Sequence, residues 1–226
     1  MADHPGPIQW LGEVRAVREM VRRRLHRATL DAAPRGDGAP LIVLPGLGAS
    51  SVSMAPVRRY LERIGHDARD WGLGRNSGKV EELLEAMTER VNDVATETGH
   101  PVALVGWSLG GFVARETARD APDTVRRVIT FGTPLTGPRS SFAGRFYSAE
   151  RRQEIEAEIA ERNERPITVP VTAIHSRRDG VVAWRDCIDT VTPGAENIEV
   201  TSTHLGLGID PDVWVILAER LAPSSD

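Results

Sequence analysis

The sequence predicts an α/β protein, with a doubly wound, mostly parallel sheet of about six strands, helices on both faces and a small helical lid. Three observations carry this. Short continuous apolar runs recur, each bounded by glycine or proline, as strands buried on both faces require. Between them lie stretches whose apolar residues return every three or four positions, the period of an amphipathic helix. The two kinds of segment alternate, and a strand–helix–strand rhythm brings each strand back parallel through a right-handed crossover.

The elements follow in order. Leu41, Ile42, Val43 and Leu44 form the first buried run, ended by Pro45 and Gly46. Residues 54–64 read as a helix closed by Gly65, and 66–71 as a short strand before the glycine-rich Gly72-Leu73-Gly74. Residues 80–98 place Leu83, Leu84, Met87, Val91 and Val94 on one helical face, with Gly99 as the stop. The rhythm repeats with a strand at 101–105, a helix at 109–119 and a strand at 124–131. A strand at 167–174, a helix starting near Val182, a strand at 197–201 and a helix at 211–221 complete it. One interval breaks the rhythm, because about thirty-five residues separate Phe131 from Ile167, and loops that long usually carry structure or function. Within it, 149–163 reads as a solvated helix with Ser148 as its N-cap. Phe142, Phe146 and Tyr147 precede that helix, and the insertion at about 136–165 is expected to be the lid.

Residues 1–38 are set apart as an N-terminal amphipathic helical extension, and 39–226 form the main domain. In the extension Leu11, Val14, Val21 and Leu25 share one face, while Arg15, Arg18, Arg22, Arg23, Arg24 and Arg27 crowd the rest. Such a helix either packs its stripe on the domain with its arginines in water, or makes a weak contact with an anionic membrane surface. A net charge of −4 argues against nucleic acid as a partner. No stretch approaches eighteen uninterrupted apolar residues, and residues 1–10 lack the basic-then-apolar order of a signal peptide. Cys187 is the single cysteine, so no internal disulfide forms, and a cytoplasmic location is expected.

The most informative stretch is Gly106-Trp107-Ser108-Leu109-Gly110, a G-x-S-x-G sequence lying directly between an apolar strand and a helix. A glycine-rich turn that merely opens a helix would carry the same letters. The flanking elements favour a nucleophilic serine, held on a sharp turn with its hydroxyl projecting from the sheet edge. Side chains at Gly106 and Gly110 would clash across so tight a turn. A serine hydroxyl needs a base, and of six histidines His204 lies just past the last strand. His175 also ends a strand but precedes the acid candidate, whereas the base comes last in this chain order. Asp179, in the loop after the fifth strand, would orient His204 and stabilise its imidazolium. Asp186 and Asp189 are expected inside the following helix, pointing elsewhere. Two backbone N–H groups complete an oxyanion hole, from Leu109 after the nucleophile and from Leu47 in the loop after the first strand. Trp107, Phe142, Phe146 and Tyr147 are the candidate substrate-pocket residues, with an apolar acyl or alcohol group as their partner; the alternative is that the three lid aromatics anchor the lid to the domain and Trp107 belongs to the core. No metal-ligand spacing is present, and none is needed for this chemistry.

These residues resemble the α/β-hydrolase superfamily, and within it the bacterial lipase/esterase branch. The resemblance rests on Leu44-Pro45-Gly46-Leu47-Gly48, on Gly106-Trp107-Ser108-Leu109-Gly110-Gly111, and on Asp179-Gly180-Val181-Val182 with His204-Leu205-Gly206. Phe131-Gly132-Thr133-Pro134 also resembles a stretch common in lipases. The likeness runs from about Ala39 to the C-terminus and departs from many lipases at Pro45, where they carry histidine. It implies cofactor-free hydrolysis of a small-molecule ester or lipid-like substrate through an acyl-enzyme. Two alternatives stay open at the sequence level: an acyltransferase or thioesterase with the same residues, and a non-catalytic binding protein on this fold.

Overall fold

The computed structural model describes residue 22 and residues 26–137 and 148–223. Six strands form one sheet: β1 (Pro40–Leu44), β2 (Asp67–Asp70), β3 (Val102–Trp107), β4 (Val125–Phe131), β5 (Val171–His175) and β6 (Glu196–Glu199). Their order is β2-β1-β3-β4-β5-β6, and all five pairings are parallel. The helices are α1 (Arg27–Asp31), α2 (Ser51–Arg63), α3 (Val80–Thr98), α4 (Leu109–Asp120), α5 (Ala149–Asn163) and α6 (Pro211–Leu221).

The double winding follows from the strands' apolar character. In β1, Leu41 and Val43 face one core with Met54, Val57 and Leu61 of α2 and Val213 and Leu217 of α6. Ile42 and Leu44 face the other core, with Leu83, Met87 and Val91 of α3 and Val113 of α4. Every β1 residue is buried, which only a strand covered on both faces can be. After β2 the chain crosses back over β1 to lay down β3 on its other side. The loops leaving β1 and β3 therefore diverge to opposite faces, and the crevice between them is where open parallel sheets bind ligands.

The helix expected from Val182 does not form. A short 3-10 turn, Trp184–Cys187, takes its place. Asp189 lies beyond it in the chain leading to β6, buried and ion-paired with Arg115 of α4. Asp189 also accepts from the Val191 and Thr192 N–H groups at 3.0 and 2.9 Å, which turn the chain there. The fifth strand starts at Val171, after Pro170, and not at Ile167.

Most of the basic N-terminal stretch lies outside the described residues. Arg22, expected in water, instead reaches Asp210 and Asp212 at the start of α6, at 3.2 and 2.6 Å. Among the described residues no helix is long and apolar enough to cross a membrane.

Candidate active site

Ser108 follows β3 and is the N-cap of α4. It is the single described non-glycine residue with positive φ, at 54°. That strained turn is held from both ends. The Ser108 N–H donates to the Phe131 carbonyl at 3.0 Å, and the Ser108 carbonyl accepts from Gly111 N–H at 2.9 Å. The close approach needs glycine, since a Cβ on Gly106 would lie 2.4 Å from Gly111 Cα and one on Gly110 2.5 Å from the Pro45 carbonyl oxygen. The second contact also places the β1 loop directly against the start of α4. A Cβ on Gly46 would stand 3.2 Å from Ser108 Cβ, so that loop borders the serine.

Asp179 and His204 come from loops after β5 and β6. His204 Nδ1 lies 2.7 Å from Asp179 Oδ2, and both side chains are almost fully buried. The other carboxylate oxygen, Oδ1, accepts from the Val181 and Val182 N–H groups at 2.8 and 2.7 Å. A carboxylate fixed by three donors has one orientation, and it fixes the imidazole in turn. The Trp107 ring lies 5.5 Å from the His204 ring, and its indole N–H donates to the His204 carbonyl at 3.2 Å. Trp107 is half-buried. It ties the end of β3, beside Ser108, to the histidine loop.

Among the described residues, His175 lacks the carboxylate partner that His204 has. Its Nδ1 has no hydrogen-bond partner among the described residues, and its ring stacks on Trp184 at 5.9 Å. Burial holds its pKa below the usual histidine value. Burial, followed by the charges of Asp179 and Asp186, likewise pushes the Cys187 thiol well up, as in inert structural cysteines.

Leu109 is the first residue of α4, where N–H groups lack an intrahelical acceptor. Leu47 sits at the tip of the loop after β1, and its N–H has no protein acceptor among the described residues. Its side chain is exposed, as is that of Leu205 next to His204, so an apolar group stands on each of those two loops. A residue that sequence reading missed is Asn76, in the loop after β2. It is 1% exposed and hydrogen-bonds to the β1 loop. Phe142, Phe146 and Tyr147 lie outside the described residues.

Helix α5 is docked on α4 by charge. Glu116 accepts from Arg119 and from Arg162, and Asp120 accepts from Arg162 and Arg165 at 2.6 and 3.0 Å. Between α5 and α3 runs a cleft of about 810 Å³, where Leu84, Phe112, Ile155 and Ile159 lie among charged residues that include Lys79, Glu82, Arg151 and Glu158. Phe112 is one helical turn from Ser108, and Gly78 at the cleft's edge packs on Leu47.

The chain belongs to the alpha/beta hydrolase family, whose profile matches residues 41–223. Two curated relatives are pimeloyl-[acyl-carrier protein] methyl ester esterases. The protein from Aliivibrio salmonicida is 29% identical over 99 residues, and that from Shewanella oneidensis is 29% identical over 102 residues. The matches cover 42% and 43% of this chain, and each spans 36% of the relative, so little more than a third of those proteins is represented. Among solved structures, an esterase of Pyrococcus furiosus superposes with a TM-score of 0.63 at 19% identity, covering 82% of this chain and 83% of that one. A Bacillus licheniformis lipase in its mature form gives 0.63 at 15% identity, covering 85% and 93%. These likenesses show the fold.

Proposed function

We propose that this hydrolase cleaves carboxylic esters through an acyl-enzyme on Ser108. Ser108 Oγ attacks the ester carbonyl and gives its proton to His204 Nε2. Asp179 holds the imidazole's other nitrogen and stabilises the imidazolium. The N–H groups of Leu47 and Leu109 receive the negative charge that develops on the carbonyl oxygen. His204 then protonates the departing alcohol, and water, activated by the same imidazole, releases the acid. The observation that carries this reading is the buried 2.7 Å contact between Asp179 and His204, on two loops at the sheet edge where Ser108 is strained. The ester-cleaving names of the curated relatives support the same bond type.

Exposed Leu47 and Leu205, on the β1 loop and beside His204, favour a substrate with an apolar arm. One buried, unbridged cysteine suits a reducing compartment such as the cytoplasm.

Hydrolysis of p-nitrophenyl esters from acetate to palmitate tests the proposal. The wild-type chain is expected to turn over, with an optimum above acetate, and Ser108→Ala to lose about 10⁶ in kcat. Equal activity in the two would overturn it.

A further inference from the structure

We propose that Asn76 is a positioning residue for the oxyanion hole. This rests on the reading of Ser108 as nucleophile. The hole needs two N–H groups aimed at one point, each about 2.7–3.1 Å from the developing oxyanion. Here they come from chain segments far apart in sequence: Leu109 on a helix start and Leu47 on a loop tip. Something must set the distance between them.

Asn76 reaches the Leu47 loop through three of its polar groups. Its backbone N–H donates to the Ala49 carbonyl, and its own carbonyl accepts from Gly48 N–H, both at 2.8 Å. Its side-chain amide donates to the Pro45 carbonyl at 2.8 Å, while the amide oxygen accepts from Gly78 N–H at 3.1 Å. That last bond orients the carboxamide so that its nitrogen, not its oxygen, meets Pro45. Leu47 is therefore held on both flanks, through Pro45 on one side and through Gly48 and Ala49 on the other.

The far side of the loop is equally constrained. The Pro45 carbonyl oxygen abuts Gly110, where a Cβ would come within 2.5 Å. The loop is thus clamped between Asn76 and the helix that begins with Leu109. Asn76 itself is anchored from below. Trp71 is fully buried at the end of β2 and donates to the Gly74 carbonyl at 3.0 Å, so the loop carrying Asn76 has a rigid root. Releasing the Pro45 carbonyl would free the tip to shift relative to α4, and a misplacement of roughly 1 Å can cost about 10²-fold in rate.

The test compares wild type with Asn76→Asp, which keeps the side-chain shape and replaces the donor facing Pro45 with an acceptor. The measurements are kcat and KM on p-nitrophenyl butyrate, the inhibition constant of a trifluoromethyl ketone, and thermal unfolding. The ketone forms a tetrahedral adduct whose oxyanion sits where the transition state's does. The expected result is a fall in kcat of about 10- to 100-fold, KM within about twofold, and inhibitor binding weakened by the factor lost in kcat. A residue that only supports the fold would lower the unfolding temperature without moving inhibitor binding per folded molecule. That outcome, unchanged kcat, or a rise in KM alone would overturn the proposal. If Asn76→Asp does not fold, Asn76→Ser is read by the same three measurements. Full activity of Ser108→Ala would instead bring down the serine mechanism, and that result is separate from any of these.

Discussion

At Ser108 the backbone and the proposed chemistry make opposite demands. Positive φ in a residue with a Cβ costs of the order of 1–3 kcal/mol, and glycine would relieve it. Ser108→Gly is therefore expected to raise the unfolding free energy by about 1 kcal/mol in urea titration while abolishing ester cleavage. Asp179→Asn should leave the fold intact and lower kcat by about 10⁴, since an amide favours the wrong imidazole tautomer. Gly132, at φ 60°, lies under His204; a Cβ there would meet Leu207 Cδ1 at 2.8 Å and His204 Nδ1 at 3.0 Å. Gly132→Ala should accordingly displace the imidazole and lower kcat, with the chain still folding as judged by circular dichroism. Ser108, Asp179 and His204 stood out in the sequence as candidates because Ser108 lies at a strand-to-helix turn and the other two in loops after later strands, in a fixed chain order. Asn76 could not. Its partner Pro45 is 31 positions away, and nothing in Arg75-Asn76-Ser77 distinguishes it from any polar turn.

Helix limits were legible where local chemistry marks them. Gly99 caps α3 in the left-handed conformation, the Ser148 hydroxyl accepts from Arg151 N–H at the start of α5, and Asp210 does the same for α6 through Asp212 N–H. The missed element is the stretch after Asp179, where a tertiary ion pair overrode helical propensity. Arg115 and Asp189 meet with almost no exposure, tying α4 to the chain before β6. Burial pushes the Asp189 carboxyl up, but Arg115 and the N–H donors of Thr192 and Val191 outweigh it and hold it below the usual value. A depressed acid stabilises fully above its unfolded pKa, about 3.9, and loses that contribution as pH falls through its folded value. Stability should therefore drop on acidification below about pH 4, with a shallower slope in Asp189→Asn. Arg115→Leu should cost about 3–5 kcal/mol at neutral pH, because it strands a buried carboxylate. The α5 network makes a parallel case. Glu116→Ala leaves Arg119 and Arg162 without their shared acceptor, and faster amide exchange in α5 would report the loosened helix.

For the molecule as a whole, the strand count and parallel sense followed from the alternation of apolar runs and amphipathic helices. The strand order did not. That β1 lies between β2 and β3 depends on which way the chain turns after β2, and the sequence carries no local mark of that choice. Yet this reversal opens the crevice beside Ser108, while the direct pairing of β2 with β1 brings the loop after β2, with Asn76, against the loop after β1.

The same sheet order divides the candidate chemistry between two halves of the chain. Leu47, Asn76, Ser108 and Leu109 precede Gly137, and Asp179 and His204 follow Ser148, with the two halves meeting along the β4–β5 edge. A chain cut between those points yields one fragment with the proposed nucleophile and another with the proposed base. Fused to two proteins that associate, the fragments would form a split reporter, silent apart and releasing a chromophore from its ester when the partners bring them together.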